Sequence, residues 1–237
     1  MFKVSKEDPR IIARFTDEPM DSATLTFTPQ NKAQLQKRWT SLNQFMQNDK
    51  VNLFKRLDRL FEFVEMYLRE FGVPQKSVCQ KGCAHCCFVD VDVSMLEAMY
   101  IASRVPGLTV VDRDQRVHNG YEKARQYCPF LDKGTATCTI HAFRPLACRT
   151  FFAFDNPKFC ADPAIKHALY NSKSSDVLSA VTRQLYTMSQ WKHADIREWF
   201  AEHTTDPYDN VYASDVKITS ISAPASRVPG PEGVKWT

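Results

Sequence analysis

Apolar residues recur at intervals of three and four from Thr28-Pro29 to Phe71, and this spacing predicts amphipathic helices. Pro29 suits the first turn of a helix, Asn48-Asp49 predicts a break, and Gly72-Val73-Pro74 predicts the end of the run. We therefore expect helices that bury one face. Their apolar stripe consists of Leu35, Trp39, Leu42, Phe45, Met46, Leu53, Phe54, Leu57, Leu60, Phe61, Val64 and Leu68.

The pattern changes after Pro74 into shorter elements. Alternating apolar residues over 89–93 predict an extended segment, and Ser94 with Glu97 matches a capping box that opens a helix. An Asp-Lys-Gly turn around Lys133-Gly134 predicts a tight hairpin. Further helices are predicted at Asp112–Tyr127, from Asp162-Pro163, over Ser174–Trp191 and at Asp195–Phe200.

These elements predict a mainly α fold, namely an irregular helical domain with a cysteine-rich metal- or cluster-binding loop region and at most a small β-hairpin. Prolines and scattered charges mark residues 1–29 as an extended N-terminal arm. Residues 30–203 form the predicted helical cysteine-cluster domain. Residues 204–237 are rich in proline and poor in apolar residues, which predicts an extended C-terminal tail.

Composition narrows the classes of function. The 237 residues are 43% apolar and 24% charged, as expected for a globular domain with a core, and the net charge of +4 is too small to indicate nucleic-acid binding. No stretch approaches the roughly 20 apolar residues of a membrane span, so no membrane partner is expected. The start MFKVSKEDPR lacks the apolar run of a secretory signal, which predicts a cytoplasmic, reducing location.

Four of the eight cysteines are crowded into the nine residues CQKGCAHCC, at Cys79, Cys83, Cys86 and Cys87. Core packing explains one or two thiols but not a vicinal pair beside two more. A disulfide framework is disfavoured by the low overall cysteine content and the predicted reducing compartment. Thiolates this close repel each other unless a cation lies between them, so we favour metal ligation.

A second cysteine segment follows, with Cys128, Cys138 and Cys148. The hairpin places Cys128 and Cys138 near its two arms, and Pro145 limits any helix before Cys148 to a single turn. Arg144 and Arg149 flank Cys148. A four-thiolate site around Zn²⁺ or a [4Fe–4S] core carries net negative charge, so these two guanidinium groups are candidate cofactor-binding residues, with surface ion pairs as the alternative.

The pieces CQKGCAHCC, CPFLD, CTIH and RPLACR, in this order, resemble the bacterial CxxCxxCC cysteine-cluster family, whose members are described as YkgJ-like zinc- or iron-chelating proteins. The resemblance covers about residues 79–150. The ligands that it implies are Cys79, Cys83, Cys86, Cys87, Cys128, Cys138 and Cys148. Two departures are the three residues between Cys79 and Cys83, and His141 where tyrosine is common, which makes His141 a weak ligand candidate. Cys160 lies outside the motif as either a further ligand or a buried thiol.

The resemblance implies a metal site but no single reaction. A flagellin lysine methylase shares the cysteine pattern and uses an iron–sulfur cluster with S-adenosylmethionine, which makes a protein substrate one expectation. Cys79-x₃-Cys83-x₂-Cys86 also matches the triad of radical S-adenosylmethionine enzymes, although the downstream chain does not alternate strands and helices as their barrel requires.

Metal identity stays open between two hypotheses. Seven or eight cysteines exceed the four ligands of one zinc ion, so two sites, or one cluster with a redox thiol, are both compatible with the sequence. Adjacent Cys86 and Cys87 point in different directions and are not expected to bind one ion. We favour an iron–sulfur cluster, with S-adenosylmethionine-linked modifying activity, and the alternative is a non-enzymatic zinc- or iron-binding protein. The sequence identifies no catalytic residue.

Overall fold

The computed structural model describes residues 29–111, 127–156, 159–160 and 168–200. The predicted N-terminal arm up to residue 28, the tail 204–237, most of the predicted helix Asp112–Tyr127 and the predicted helix start at Asp162-Pro163 lie outside the described residues. The described part is mainly helical with small antiparallel strand pairs, so the predicted fold class is confirmed.

Two long helices form the first wall of the molecule. Helix α1 spans Pro29–Met46 and α2 spans Leu53–Glu70, and the two pack against each other as their apolar spacing predicts. The Asn52 side chain accepts a hydrogen bond from the Phe54 N–H at 2.8 Å and caps α2. Gly72 ends the run in a left-handed conformation with φ of 67°, and a one-turn helix, α3 (Val73–Lys76), follows.

A strand pair joins distant parts of the chain. Strand β1 (Asp92–Ser94) leads into α4 (Met95–Ala102), and the predicted capping box between Ser94 and Glu97 is present. After α6 (Asp176–Met188), strand β6 (His193–Asp195) pairs antiparallel with β1, and α7 (Ile196–Trp199) follows directly. The sequence did not predict this pairing.

The cysteine region is built from short elements that lie, in sequence, between α3 and α6. They are 3₁₀ turns at His85–Phe88 and His141–Phe143, the hairpin β2 (Leu131–Asp132) and β3 (Thr137–Cys138), helix α5 (Leu146–Thr150), and the pair β4 (Phe152–Ala153) and β5 (Leu169–Tyr170). The hairpin turn is held by Asp132, whose carboxylate accepts the Gly134 N–H at 2.9 Å.

The core divides into two apolar clusters. The first packs α1, α2 and α6 together through residues such as Leu57, Val64 and Leu178. The second is built on Val93, Phe130, Ile140, Trp199 and Phe200, and four cysteines belong to it or pack against it. Burial of apolar surface around these thiols positions the candidate site. None of the helices in the described ranges combines the length and the apolar run that a bilayer crossing requires.

Candidate metal centre

Cys79 is held beside strand β4. The Val78 N–H donates to the Ala153 carbonyl at 2.9 Å, and the Cys79 N–H donates to the Ser77 hydroxyl at 3.0 Å. In return the Ala153 N–H donates to the Cys79 sulfur at 3.4 Å. An N–H aimed at sulfur is a donor that offsets the negative charge of a thiolate-ligated metal centre.

The rest of the first cysteine stretch is a tight turn. Gly82 has φ of 87°, a conformation that favours glycine, and it turns the chain just before Cys83. The 3₁₀ turn that follows carries Cys86 and Cys87, with the Cys87 N–H bonded to the Ala84 carbonyl at 2.9 Å. The loop or short helical turn that the sequence predicts here is confirmed.

The second cysteine stretch meets the first at one peptide group. The Cys128 N–H donates to the Cys87 carbonyl at 2.9 Å, although the two residues are far apart in sequence. Cys138 lies opposite Leu131 in the hairpin, and Cys148 lies in α5. Cys87, Cys128, Cys138 and Cys148 share the second apolar cluster. The two stretches therefore meet at this peptide group and in this apolar cluster, while ligation of one metal by their thiols stays a prediction.

Burial and neighbouring thiols raise the pKa values of these four cysteines. Burial first, and then the neighbouring Cys138, raise the pKa of Cys128 to about 11. Burial, followed by Cys128, Cys86 and Cys138, raises the pKa of Cys148 well above its ordinary value. The pKa of Cys87 is raised by its hydrogen bond with Cys86, by burial and by the Cys128 and Cys148 thiols. Mutual repulsion of this kind is relieved when a cation binds among the sulfurs.

A second set of thiols lies close to Cys86. Burial first, and then Cys79, Cys83 and Cys86, raise the pKa of Cys160 to about 12. Burial likewise raises the pKa of Cys83, and Cys79 and Cys86 add to the rise. The structure thus brings Cys160, which the sequence left between ligand and buried thiol, next to the first stretch.

Cys86 neighbours thiols of both sets. Its hydrogen bond with Cys87 lowers the pKa of Cys86, and the positive charge of Arg144 acts in the same direction. It also neighbours Cys138 and Cys148. Among the described His, Cys, Asp and Glu side chains, no three are arranged to hold a metal ion as they stand. Metal binding therefore requires some cysteine side chains to change rotamer. Cys86 and Cys87, whose thiols now hydrogen-bond to each other, are examples.

Arg144 carries the polar group that best fits a bound anionic centre. Its Nη1 contacts the His141 ring at 2.7 Å, while its Nε is buried without a hydrogen-bond partner. Its charge adds to the lowering of the Cys86 pKa, and it opposes the burial that raises the pKa of Cys138 and of Cys148. An orphaned guanidinium donor beside three thiols is compatible with a thiolate-ligated metal or cluster of net negative charge.

Arg149 has a different set of contacts. Its guanidinium is buried, donates to the Arg144 carbonyl at 2.7 Å and to the Ala142 carbonyl at 2.8 Å, and forms an ion pair with Glu65. It also lies over the Phe61 ring, 4.2 Å from the centroid. These contacts hold the segment before Cys148, so Arg149 shapes the site, and cofactor binding by this side chain stays a prediction.

Sequence reasoning missed two buried charged residues that support the centre. Glu97, foreseen only as a helix cap, also accepts the Leu146 N–H at 2.7 Å at the start of the helix that carries Cys148. Arg197 donates to the Cys87 carbonyl at 2.9 Å. The capping pattern pointed to Glu97, whereas no local signal distinguishes Arg197 from a surface arginine.

Residues 78–171 match the model of the CxxCxxCC family, described as a "putative zinc- or iron-chelating domain". The resemblance drawn from the four cysteine pieces is confirmed, and the match extends it to include Cys160. The description supports metal binding through the cysteine cluster. Among curated proteins and solved structures, none matches the chain.

Proposed function

Because residues 78–171 match a zinc- or iron-chelating family, we propose that this chain is a thiolate-ligated metal-binding protein with two adjacent four-cysteine sites. Cys79, Cys83, Cys86 and Cys160 form the first site, and Cys87, Cys128, Cys138 and Cys148 form the second. The observation that carries this proposal is that Cys87, Cys128, Cys138 and Cys148 share one apolar cluster, with the Cys128 N–H on the Cys87 carbonyl. Cys79, Cys83 and Cys160 neighbour Cys86, which also neighbours thiols of the second site.

The chemistry of the donors supports this assignment. Four thiolates match the closed tetrahedral ligand set of a structural zinc site, and the same four can also hold a [4Fe–4S] cluster. Either centre leaves a net negative charge. The buried Nε of Arg144 and the Ala153 N–H that points at Cys79 offset this charge. The protein's contribution is to bury the thiols together and to supply these donors.

An iron–sulfur protein with S-adenosylmethionine-linked modifying activity on a protein substrate is the second candidate. The spacing of Cys79, Cys83 and Cys86 favours it, because three thiolates on a four-iron cluster leave one iron open for the cofactor. Cys160 favours the first candidate instead. It neighbours the same three thiols and supplies a fourth ligand, which closes the site as structural sites are closed.

Metal and acid-labile sulfide analysis of protein purified without oxygen tests the proposal. The expected result is about two metal centres per chain, with Cys160→Ser losing the first and Cys138→Ser losing the second, so that each variant serves as the control of the other. Equal metal content in both variants and the wild type would contradict the two-site assignment.

The same preparation separates the two candidates. Zinc without visible absorption supports closed structural sites. Iron with stoichiometric sulfide, together with binding of S-adenosylmethionine in equilibrium dialysis, supports the second candidate. In that case Cys160→Ser retains cofactor binding, since the triad alone holds the cluster.

A further inference from the structure

Arg197 is a buried arginine that contacts the cysteine turn from 110 residues further along the chain. It is 5% exposed. Its Nη2 donates to the Cys87 carbonyl at 2.9 Å and to the Val89 carbonyl at 3.3 Å. Its Nη1 donates to both carboxylate oxygens of Asp195, at 2.8 and 2.9 Å. The planar fork of arginine makes contacts in several directions at once, which a lysine ammonium does not reproduce.

The Cys87 carbonyl is a junction of three segments. It accepts one hydrogen bond from the Arg197 side chain and another from the Cys128 N–H, also at 2.9 Å. One peptide oxygen therefore joins the first cysteine stretch, the second cysteine stretch and the segment that contains β6 and α7. A small displacement of this peptide changes the separation of the Cys87 and Cys128 thiols.

Asp195, the last residue of β6, holds the segment that follows Cys87. Its carboxylate accepts the Val91 N–H at 2.8 Å and the Arg197 N–H at 2.9 Å. The Ile196 N–H in turn donates to the Val91 carbonyl at 2.9 Å. The segment 87–91 is thus fastened along its length to residues 195–197. These residues lie outside the segment 78–171 that the family model covers.

We infer that Arg197 is a positioning residue of the metal centre, which holds the Cys87 peptide against Cys128 and so sets the geometry of the second four-cysteine site. This inference rests on the proposed function. The Arg197 guanidinium also lies near the Cys128 thiol. The centre accordingly extends beyond the family segment to the C-terminal end of the described residues.

Arg56 offers a matched control. It too is a buried arginine whose guanidinium donates to two backbone carbonyls, of Val51 at 3.0 Å and Met46 at 3.2 Å, beside an aspartate. Its contacts are to the connection between α1 and α2, not to a cysteine. Arg56→Met therefore removes two hydrogen bonds to backbone carbonyls, as Arg197→Met does, without touching the centre.

The test uses the full chain loaded with Co²⁺, whose thiolate absorption reports ligand geometry, and follows metal transfer to a chelator. Arg197→Met is expected to speed the release of one of the two metal equivalents by about tenfold or more and to alter the Co²⁺ spectrum. Arg56→Met is expected to leave the release rate and the Co²⁺ spectrum at their wild-type values. Arg197→Lys does not restore the wild-type rate, because an ammonium does not bridge the carbonyls and Asp195.

Equal release rates and spectra for Arg197→Met and Arg56→Met would overturn the positioning role while leaving the proposed function intact. A wild-type chain that binds no Co²⁺ would overturn both. Should Arg197→Met not fold, Asp195→Asn provides the second variant, since it removes the charge that orients the guanidinium. Wild-type release by folded Asp195→Asn would likewise overturn the inference.

Discussion

The metal-free protein is expected to lose stability in alkali through its buried thiols, and Cys128 gives the clearest case. Its side chain is 9% exposed and its pKa is raised to about 11 from an ordinary value of 9.0. The folded state therefore retains a proton that the unfolded chain releases. Since the folded pKa is the higher one, this contribution to stability is complete below about pH 9 and is lost as the pH rises towards 11.

The magnitude follows from the size of the shift. Two pKa units at about 1.4 kcal/mol each correspond to about 3 kcal/mol of unfolding free energy from this one thiol. Cys128 also raises the pKa of Cys148, so replacing Cys128 weakens the alkaline sensitivity of its neighbour as well. The measured difference between wild type and variant is expected to equal or exceed the single-site value.

Urea denaturation of the reduced, metal-free wild type and of Cys128→Ala, at several values from about pH 8 to 11, measures this effect. The wild type is expected to lose stability relative to the variant by about 1 kcal/mol per pH unit above pH 9. Lysine and tyrosine ionisation cancels in the comparison. A constant difference across the range would refute the assignment of Cys128 as a buried, protonated thiol, and with it the packing of the second set.

Four substitutions test the supports around the centre. Ser94→Ala removes the cap of α4 and is expected to cost about 1 kcal/mol in thermal denaturation; no loss would contradict the capping box. Trp199→Phe deletes the indole N–H that donates to the Val93 carbonyl at 2.7 Å, with an expected cost of about 1–2 kcal/mol by urea denaturation, and a neutral result would argue against that bond. Arg149→Met is expected to cost about 2–3 kcal/mol, whereas Glu65→Gln costs under about 1 kcal/mol because Glu65 is 52% exposed; equal costs would place the stabilisation in the ion pair rather than in the carbonyl contacts.

Local patterns predicted the helical frame well. Each of these signals spans only a few residues, and the structure contains each of them: the apolar spacing of α1 and α2, the break at Asn48-Asp49 and the capping box of Ser94 and Glu97. The pairing of Asp92 with Asp195 was not predictable in this way. Strands of three residues carry little periodicity, and their partners lie about a hundred residues apart, so only tertiary packing selects them.

The same distinction applies to the site. The crowding of Cys79–Cys87 and the hairpin between Cys128 and Cys138 indicated a shared centre, because thiolates at such spacing need a cation. By contrast, Cys160 lies near the first cysteine stretch, and Arg197 contacts Cys87, only because of the tertiary packing of the segments that contain β4 and β6. Neither residue has a local pattern that marks it, so both emerged only from the folded structure.

An anomalous difference map of the metal-loaded protein, recorded at the absorption edge of the metal that it retains, tests the central claim most directly. We predict a peak within about 2.3 Å of the sulfurs of Cys87, Cys128, Cys138 and Cys148 for zinc, with a second peak among Cys79, Cys83, Cys86 and Cys160. A peak bound only by thiols of the first stretch, with Cys128, Cys138 and Cys148 turned away from it, would contradict a centre shared by both cysteine stretches.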